Sequence, residues 1–192
     1  PRSEWSDEVQ KRASFWQDSG RTIKLLNLTL DSVPVALAII AGSRYPCFVS
    51  GAASALDWES AITKAFTEAE FMLLSWLASR PRRVNPQHVV SPRDHGLVYF
   101  RHENLNEVDW LLASDEGELT EPRKIDIFRQ FDPVFVRVGS EDHTGLMVYR
   151  ALSEKLMPIH FGYGLEPYRH RRLDMLGLGW CRKYPSFPHF FA

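Results

Sequence analysis

Between Trp58 and Leu77 the apolar positions recur at helical spacing: Trp58, Ala61 and Ile62, Ala65 and Phe66, Ala69, Met72 and Leu73, Trp76 and Leu77. That period places a wide apolar stripe along one side of a long helix. Asp57, just before it, predicts the N-cap, because its carboxylate accepts the free N–H groups of a first turn. Gly51 and the small residues after it read as the lead-in. A second stripe runs through Ser60, Lys64, Thr67, Glu68, Phe71 and Ser75. Lys64 and Glu68 lie one turn apart, and the plain reading is a solvated face with one ion pair. A lysine ahead of a glutamate is the weaker order for helix support, so helix stability is a poor reason for the pair.

The same patterning gives the other elements. Ser3 to Asp18 reads as a helix through Trp5, Val9, Ala13 and Trp16, with Gly20 as its stop. Ile23 to Thr29 alternates weakly, as a strand. Val33 to Ile40 is apolar nearly throughout, which suits a strand buried on both faces, with Pro34 near its start. Cys47 to Val49 reads as a short strand. The arginines and prolines from Arg80 to Arg93 suggest an exposed basic excursion. Leu97 to Phe100 is expected as a short strand, Leu105 to Ala113 as a helix, and Ile125 to Phe131 as either. Val134 to Val138 and Leu146 to Leu152 read as strands around a polar turn. From Leu156 the chain is rich in Pro, Gly, His and aromatics. Helices and strands mix without βαβ alternation, so the expected fold class is α+β.

Length and charge narrow the function classes. The 192 residues suit one domain or two small lobes, and the formal net charge of -1 gives no bulk electrostatic case for nucleic acid or an anionic membrane. Cys47 and Cys181 stand apart without a C-x-x-C, which argues against a zinc site or disulfide framework and for a reducing, cytoplasmic setting. No apolar run is long enough to span a bilayer.

Few residues carry chemistry by type and spacing alone. There is no phosphate-binding glycine loop, and the seven histidines show no metal spacing. Asp94 and His95 are an acid–base pair in sequence, read as loop neighbours. The cluster from Tyr168 to Arg172 is basic and could hold an anion or be solvated surface. Arg150 shares a strand face with Leu146, Val148 and Leu152, where a charge needs either a salt bridge or an anion.

Several stretches together resemble the YcaO family, in particular its thiazole- and oxazole-forming peptide cyclodehydratase branch. The long helix is similar to the family pattern of a small-residue lead, Asp, then A-x-x-x-A-x-x-E-x-x-Q: here Gly51, Asp57, Ala61, Ala65 and Glu68, with Phe71 in place of the Gln. Leu28 to Ala36 resembles the strand–turn–strand before that helix. Val89 to His95 with Tyr99 resembles the branch's "DH…Y" segment, and Gly145 to Leu152 resembles "GL.V.RAL". Leu156 to Gly162 with His170 and Arg172 resembles "l.Pi.FG…gH.R". Pro185 to Ala192 resembles the proline-rich "P.PHPF" tail. The resemblance spans about Leu28 to Ala192.

The resemblance implies a YcaO-like mixed sheet with packed helices, as the C-terminal part of the domain, ending in an extended proline-containing tail. Residues 28–79 would form the strand pair and central helix, 80–133 the basic loop and helical excursion, and 134–192 the strands and tail. It implies ATP and Mg2+ as cofactors. The amide oxygen of a ribosomal precursor peptide would be phosphorylated, a Cys, Ser or Thr side chain would close on the amide carbon, and phosphate would leave as the azoline forms. Glu68 would serve the metal, Lys64, Glu68 and Arg150 the nucleotide, and Glu68, Arg150 and His189 the catalytic centre. A ThiF-like leader-binding protein and the N-terminal half of the domain would be partners. Two other readings stand beside it. One is a degenerate, non-catalytic YcaO-like partner that binds a peptide or sister subunit, for which Phe71 speaks. The other is an unrelated α+β domain that binds an acidic ligand through its arginine clusters.

Overall fold

A computed structural model describes residues 5–30, 33–79, 82–114, 119, 126–139, 146–156, 161–164 and 189. The chain divides into two compact units. The first takes Pro1–Arg123, His160–Glu166 and Lys183–Ala192; the second takes Lys124–Ile159 and Pro167–Arg182.

The first unit is built around strand β2 (Val35–Ala41), which pairs antiparallel with β1 (Thr22–Asn27) on one side and β3 (Phe48–Ser54) on the other. Leu25 faces Ala38 and Ile39 faces Ser50 across the two ladders. The expectation of a strand buried on both faces holds. Ala36, Ala38 and Ile40 point into one apolar cluster, and Leu37, Ile39 and Ala41 into another. Successive side chains of a strand alternate faces, so an unbroken apolar run requires a layer on each side.

The first layer is the long helix α2 (Trp58–Ser79), which buries Trp58, Ala61, Ile62, Ala65, Phe66, Ala69, Leu73 and Trp76 against the sheet. Asp57 caps it as expected: its Oδ1 accepts the Ser60 amide at 2.7 Å. Helix α1 (Asp7–Asp18) joins the same cluster through Trp5, Val9 and Ala13. It is capped by Ser6 and followed by Gly20 at φ 85°, a left-handed conformation that glycine takes without a Cβ clash. Arg12 fastens α1 to α2. Its Nε donates to Glu70 Oε2 at 2.9 Å and a terminal nitrogen donates to the same oxygen, while Trp16 Nε1 donates to Glu70 Oε1 at 2.7 Å. Both carboxylate oxygens of this half-buried glutamate are therefore satisfied, as burial requires.

The second layer covers Leu37, Ile39 and Phe48 with Val89, Val98, Tyr99, Val108 and Leu111. Its main elements are α3 (Pro92–Tyr99) and α4 (Asp109–Ala113). Here the structure corrects the sequence reading. Residues 97–100, expected as a strand, close a helix. Pro92 occupies its first turn, where a missing N–H costs nothing, and Asp94 folds back onto the residues before it. The helix expected over 105–113 is a 3-10 turn, His102–Glu107, followed by the short α4. Gly51, Ala52 and Ala53, expected as lead-in, belong to β3. The 86–88 part of the basic excursion is a 3-10 turn, Pro86–His88.

In the second unit, α5 (Ile127–Phe131) resolves the helix-or-strand alternative in favour of helix, and β4 (Val134–Arg137) pairs antiparallel with β5 (Tyr149–Leu152). The pairing sets Val134 opposite Leu152 and Val136 opposite Arg150. All eight residues of the two strands are exposed. The order of helices and small antiparallel sheets makes this an α+β fold. Among the described residues no helix is long and apolar enough to cross a membrane. Residues 115–118, the basic cluster at 168–172, Cys181, the histidines 143, 160 and 170, and the tail except His189 lie outside the described residues.

Candidate functional site

Helix α2 runs unusually close to β3. A Cβ built on Gly51 would lie 2.4 Å from the Ala65 carbonyl oxygen, 2.5 Å from the Ala69 nitrogen and 2.8 Å from Glu68 Cβ. Only a residue without a side chain fits there. The approach brings Glu68 beside the outer edge of β3. That strand is the outer one of the described sheet, so its outward N–H groups need partners beyond the ladder. Glu68 Oε2 accepts the Ala52 amide at 2.9 Å. The bond fixes the carboxylate on an exposed helix face through one of its two oxygens.

Lys64 sits one turn earlier on the same exposed face. The ion pair with Glu68 that the plain reading expects is absent among the described residues. The backbone amide of Ala52 holds the carboxylate instead, which agrees with the poor Lys-before-Glu order. Phe71 continues the stripe and is 69% exposed. An aromatic ring open to water on that face leaves no hydrogen-bonding group where the family pattern carries an amide.

Arg150 lies in the second unit, exposed on β5 opposite Val136. Among the described residues no carboxylate pairs with it. His189 belongs to the first unit, where its ring stacks on that of His95 with centroids 4.0 Å apart. The structure thus unites Lys64 and Glu68 on one helix face, gives His189 a neighbour that the sequence reading treated as part of a loop, and assigns Arg150 to the other unit.

Asp94 and His95, adjacent in sequence, do separate jobs. The Asp94 carboxylate accepts the Ser91 amide at 2.9 Å, the Val90 amide at 3.2 Å and the Ser91 hydroxyl at 2.8 Å, and so holds the start of α3. Burial pushes its pKa up, but these hydrogen bonds outweigh it and the carboxyl titrates below its usual range. A depressed carboxyl stabilises the fold above its unfolded pKa, and the contribution is lost as the pH falls through the folded value. Asp94→Asn keeps an accepting oxygen but loses the charge, and is expected to cost about 1 kcal/mol at neutral pH, the difference between a charged and a neutral hydrogen bond. In urea titrations the gap to the natural protein should be smaller at a pH below the usual carboxylate range, where the folded-state carboxyl begins to take up its proton. An equal gap at both pH values would show that the charge is not what holds α3.

An anchored, exposed carboxylate suits a hard metal ion. Among the described residues no group of three His, Cys, Asp or Glu side chains could hold an ion alone. Mg2+, however, takes hard oxygen ligands, keeps several waters and is commonly held by one or two carboxylates together with nucleotide phosphates. Glu68, anchored through one oxygen and exposed, fits that limited part. Glu68 was legible in the sequence, and Gly51 and Ala52 were legible as a small-residue lead-in, but not as the strand residues that position the carboxylate. The signal was the G-A-A-S run, whose small residues are what a strand needs when a helix lies directly against it.

An α+β unit that presents an anchored carboxylate beside a lysine on an open helix face is equipped to meet a cation with its phosphates. The family described as YcaO cyclodehydratase, ATP- and Mg2+-binding, matches residues 2–151, more than half of the chain. The chain belongs to the YcaO family. ATP and Mg2+ are the cofactors that describe it. The match takes in α1, which the resemblance left out, and ends at Ala151, before the 156–192 motifs. No curated protein and no solved structure matches the chain.

Proposed function

We propose that this chain takes part in ATP-dependent azoline formation on a ribosomal precursor peptide, as the C-terminal part of a YcaO cyclodehydratase domain. The observation that carries the reading is the exposed Glu68 carboxylate, held on the face of α2 by the Ala52 amide, which donates to its Oε2. Bound Mg-ATP supplies the phosphoryl group that turns an amide oxygen into a leaving group. On the first unit Glu68 would offer Mg2+ an oxygen and Lys64 a positive charge on the same face; Arg150, in the second unit, is the guanidinium that the family resemblance assigns to phosphate oxygens. Arg150 is exposed on β5, where water can solvate its charge, so its proposed phosphate contact rests on the family resemblance. His189 contributes from the tail. The remaining metal ligands come from another segment of the domain, and leader recognition from a ThiF-like partner.

The test is ring formation by the natural full-length protein with its precursor peptide, read as loss of one water per ring by mass spectrometry. Arg150→Gln is expected to lower turnover about a hundredfold, the scale of removing one charge-stabilising donor. Normal turnover by Arg150→Gln would remove it from the site. A second reading rests on the exposed Phe71, an apolar surface on the ligand-facing stripe that favours a non-catalytic, peptide- or subunit-binding copy. A full-length protein that binds the precursor yet turns over no ATP would select it.

A further inference from the structure

The ring of His95 joins three segments that are far apart in sequence. It is fully buried, at 0% exposure, on α3. Its Nε2 lies 2.9 Å from the backbone nitrogen of Gly162, and its Nδ1 lies 2.9 Å from the carbonyl oxygen of His189. A backbone N–H only donates and a carbonyl only accepts. The two partners therefore fix the ring's state: Nδ1 carries the proton, and Nε2 presents its lone pair. The His189 ring lies over the His95 ring at 23° between planes. Phe161 closes a third side, 5.5 Å from His95 in an edge-on arrangement and 5.7 Å from His189. The Tyr163 amide donates to the Val89 carbonyl at 3.0 Å, a second tie between the 161–164 segment and the approach to α3.

Each feature has a chemical requirement. The contact with Gly162 needs an acceptor at Nε2, which a protonated imidazole lacks. The contact with His189 needs a donor at Nδ1 and a flat face for the second ring. Asparagine and glutamine offer a donor and an acceptor but no ring face; phenylalanine offers the face but neither bond. Histidine as the Nδ1–H tautomer meets all three.

We propose that His95 and Phe161 form a seat for His189, an intramolecular site that reads one backbone carbonyl and one flat ring. His95 is then a positioning residue: it acts on chemistry through the residue it holds. That last consequence rests on the cyclodehydratase reading, whereas the seat itself does not.

Nitrogen NMR of the full chain labelled at histidine tests the seat directly. His95 is expected to show the Nδ1–H tautomer, and the His189 ring protons an upfield shift from the stacked rings. In hydrogen exchange, His95→Phe should make the Gly162 amide exchange about tenfold faster, the scale of one lost hydrogen bond, with the amides of α2 unchanged. His189→Ala should leave Gly162 protected, because Nε2 still accepts from it. An Nε2–H tautomer, an imidazolium, or an unprotected Gly162 amide in the unmodified chain would overturn the seat whatever the enzyme turns over, and no variant needs to fold for that result. For positioning, turnover losses from His95→Phe and His189→Ala in the natural full-length protein should fail to add. Losses that multiply independently would overturn it. A protein without ring-forming activity would refute the cyclodehydratase reading and leave the seat to the NMR result.

Discussion

Glu68→Ala should weaken Mg-ATP binding by the natural full-length protein at least about a hundredfold, since loss of even an outer partner of a metal site commonly costs ten- to a hundredfold. Alanine also removes the acceptor for the Ala52 amide, so a shifted strand edge would contribute to that loss. Glu68→Gln separates the two. Its amide oxygen can still accept the Ala52 N–H, while the charge that attracts a hard cation is gone. The expected pattern in calorimetric titrations is a large loss in both variants, with the melting temperature of Glu68→Gln close to that of the natural protein. If Gln binds Mg-ATP normally, the carboxylate is a strand clasp and nothing more. If neither variant differs from the parent, Glu68 lies outside the nucleotide site.

Gly51→Ala should destabilise the first unit by about 3 kcal/mol, at the upper end for forcing one methyl into a packed interior. The added carbon would meet the Ala65 carbonyl and the Ala69 nitrogen, both backbone atoms of α2, at distances no contact tolerates. Relief requires lifting the helix off the sheet over its most buried turns. For a chain of this size that is a drop of about 10 °C in melting temperature. Gly20→Ala is the control. Gly20 also has positive φ, but nothing lies within 4 Å of its absent Cβ, so alanine there meets only the left-handed backbone penalty of about 1 kcal/mol. Equal melting temperatures for the two variants would mean that α2 and β3 are further apart than the structure has them. Because Glu68 Cβ also touches the Gly51 position, the Gly51 variant should lose Mg-ATP affinity as well.

The elements legible in the sequence were those where burial imposes a period. The α2 stripe and its Asp57 cap, the two-sided strand β2 and the α1 pattern all followed from which residues had to meet the core. The misread stretches had a local signal that ran against composition. Residues 97–100 are β-prone by type, yet Ser91, Pro92 and Asp94 had already committed the chain to a helix. In the G-A-A-S run, small size read as a lead-in to the helix, although it reflects the thickness of the gap beneath α2. The site was partly legible for the same reason. Glu68 stood on a face that helix stability did not explain, whereas its anchor is a backbone amide, which no side-chain pattern records. The seat at His95 depends on a carbonyl and an amide from distant segments and is equally invisible to spacing.

The β4–β5 ribbon bears on how these experiments are read. Val134, Phe135, Val136, Val138, Leu146, Met147, Val148, Tyr149 and Leu152 all lie exposed on or beside it. Short apolar segments of high β propensity are where molecules adhere edge to edge in concentrated solution. Arg137 and Arg150 interrupt that apolar run, and charges so placed are expected to oppose such adhesion. A neutral residue at 150 therefore changes colloidal behaviour as well as any anion contact, and a fall in turnover could come from soluble clusters. Arg150→Lys keeps the gatekeeping charge but loses the forked, bidentate geometry. Comparing it with Arg150→Gln at several protein concentrations separates a lost phosphate contact from a lost barrier to self-association.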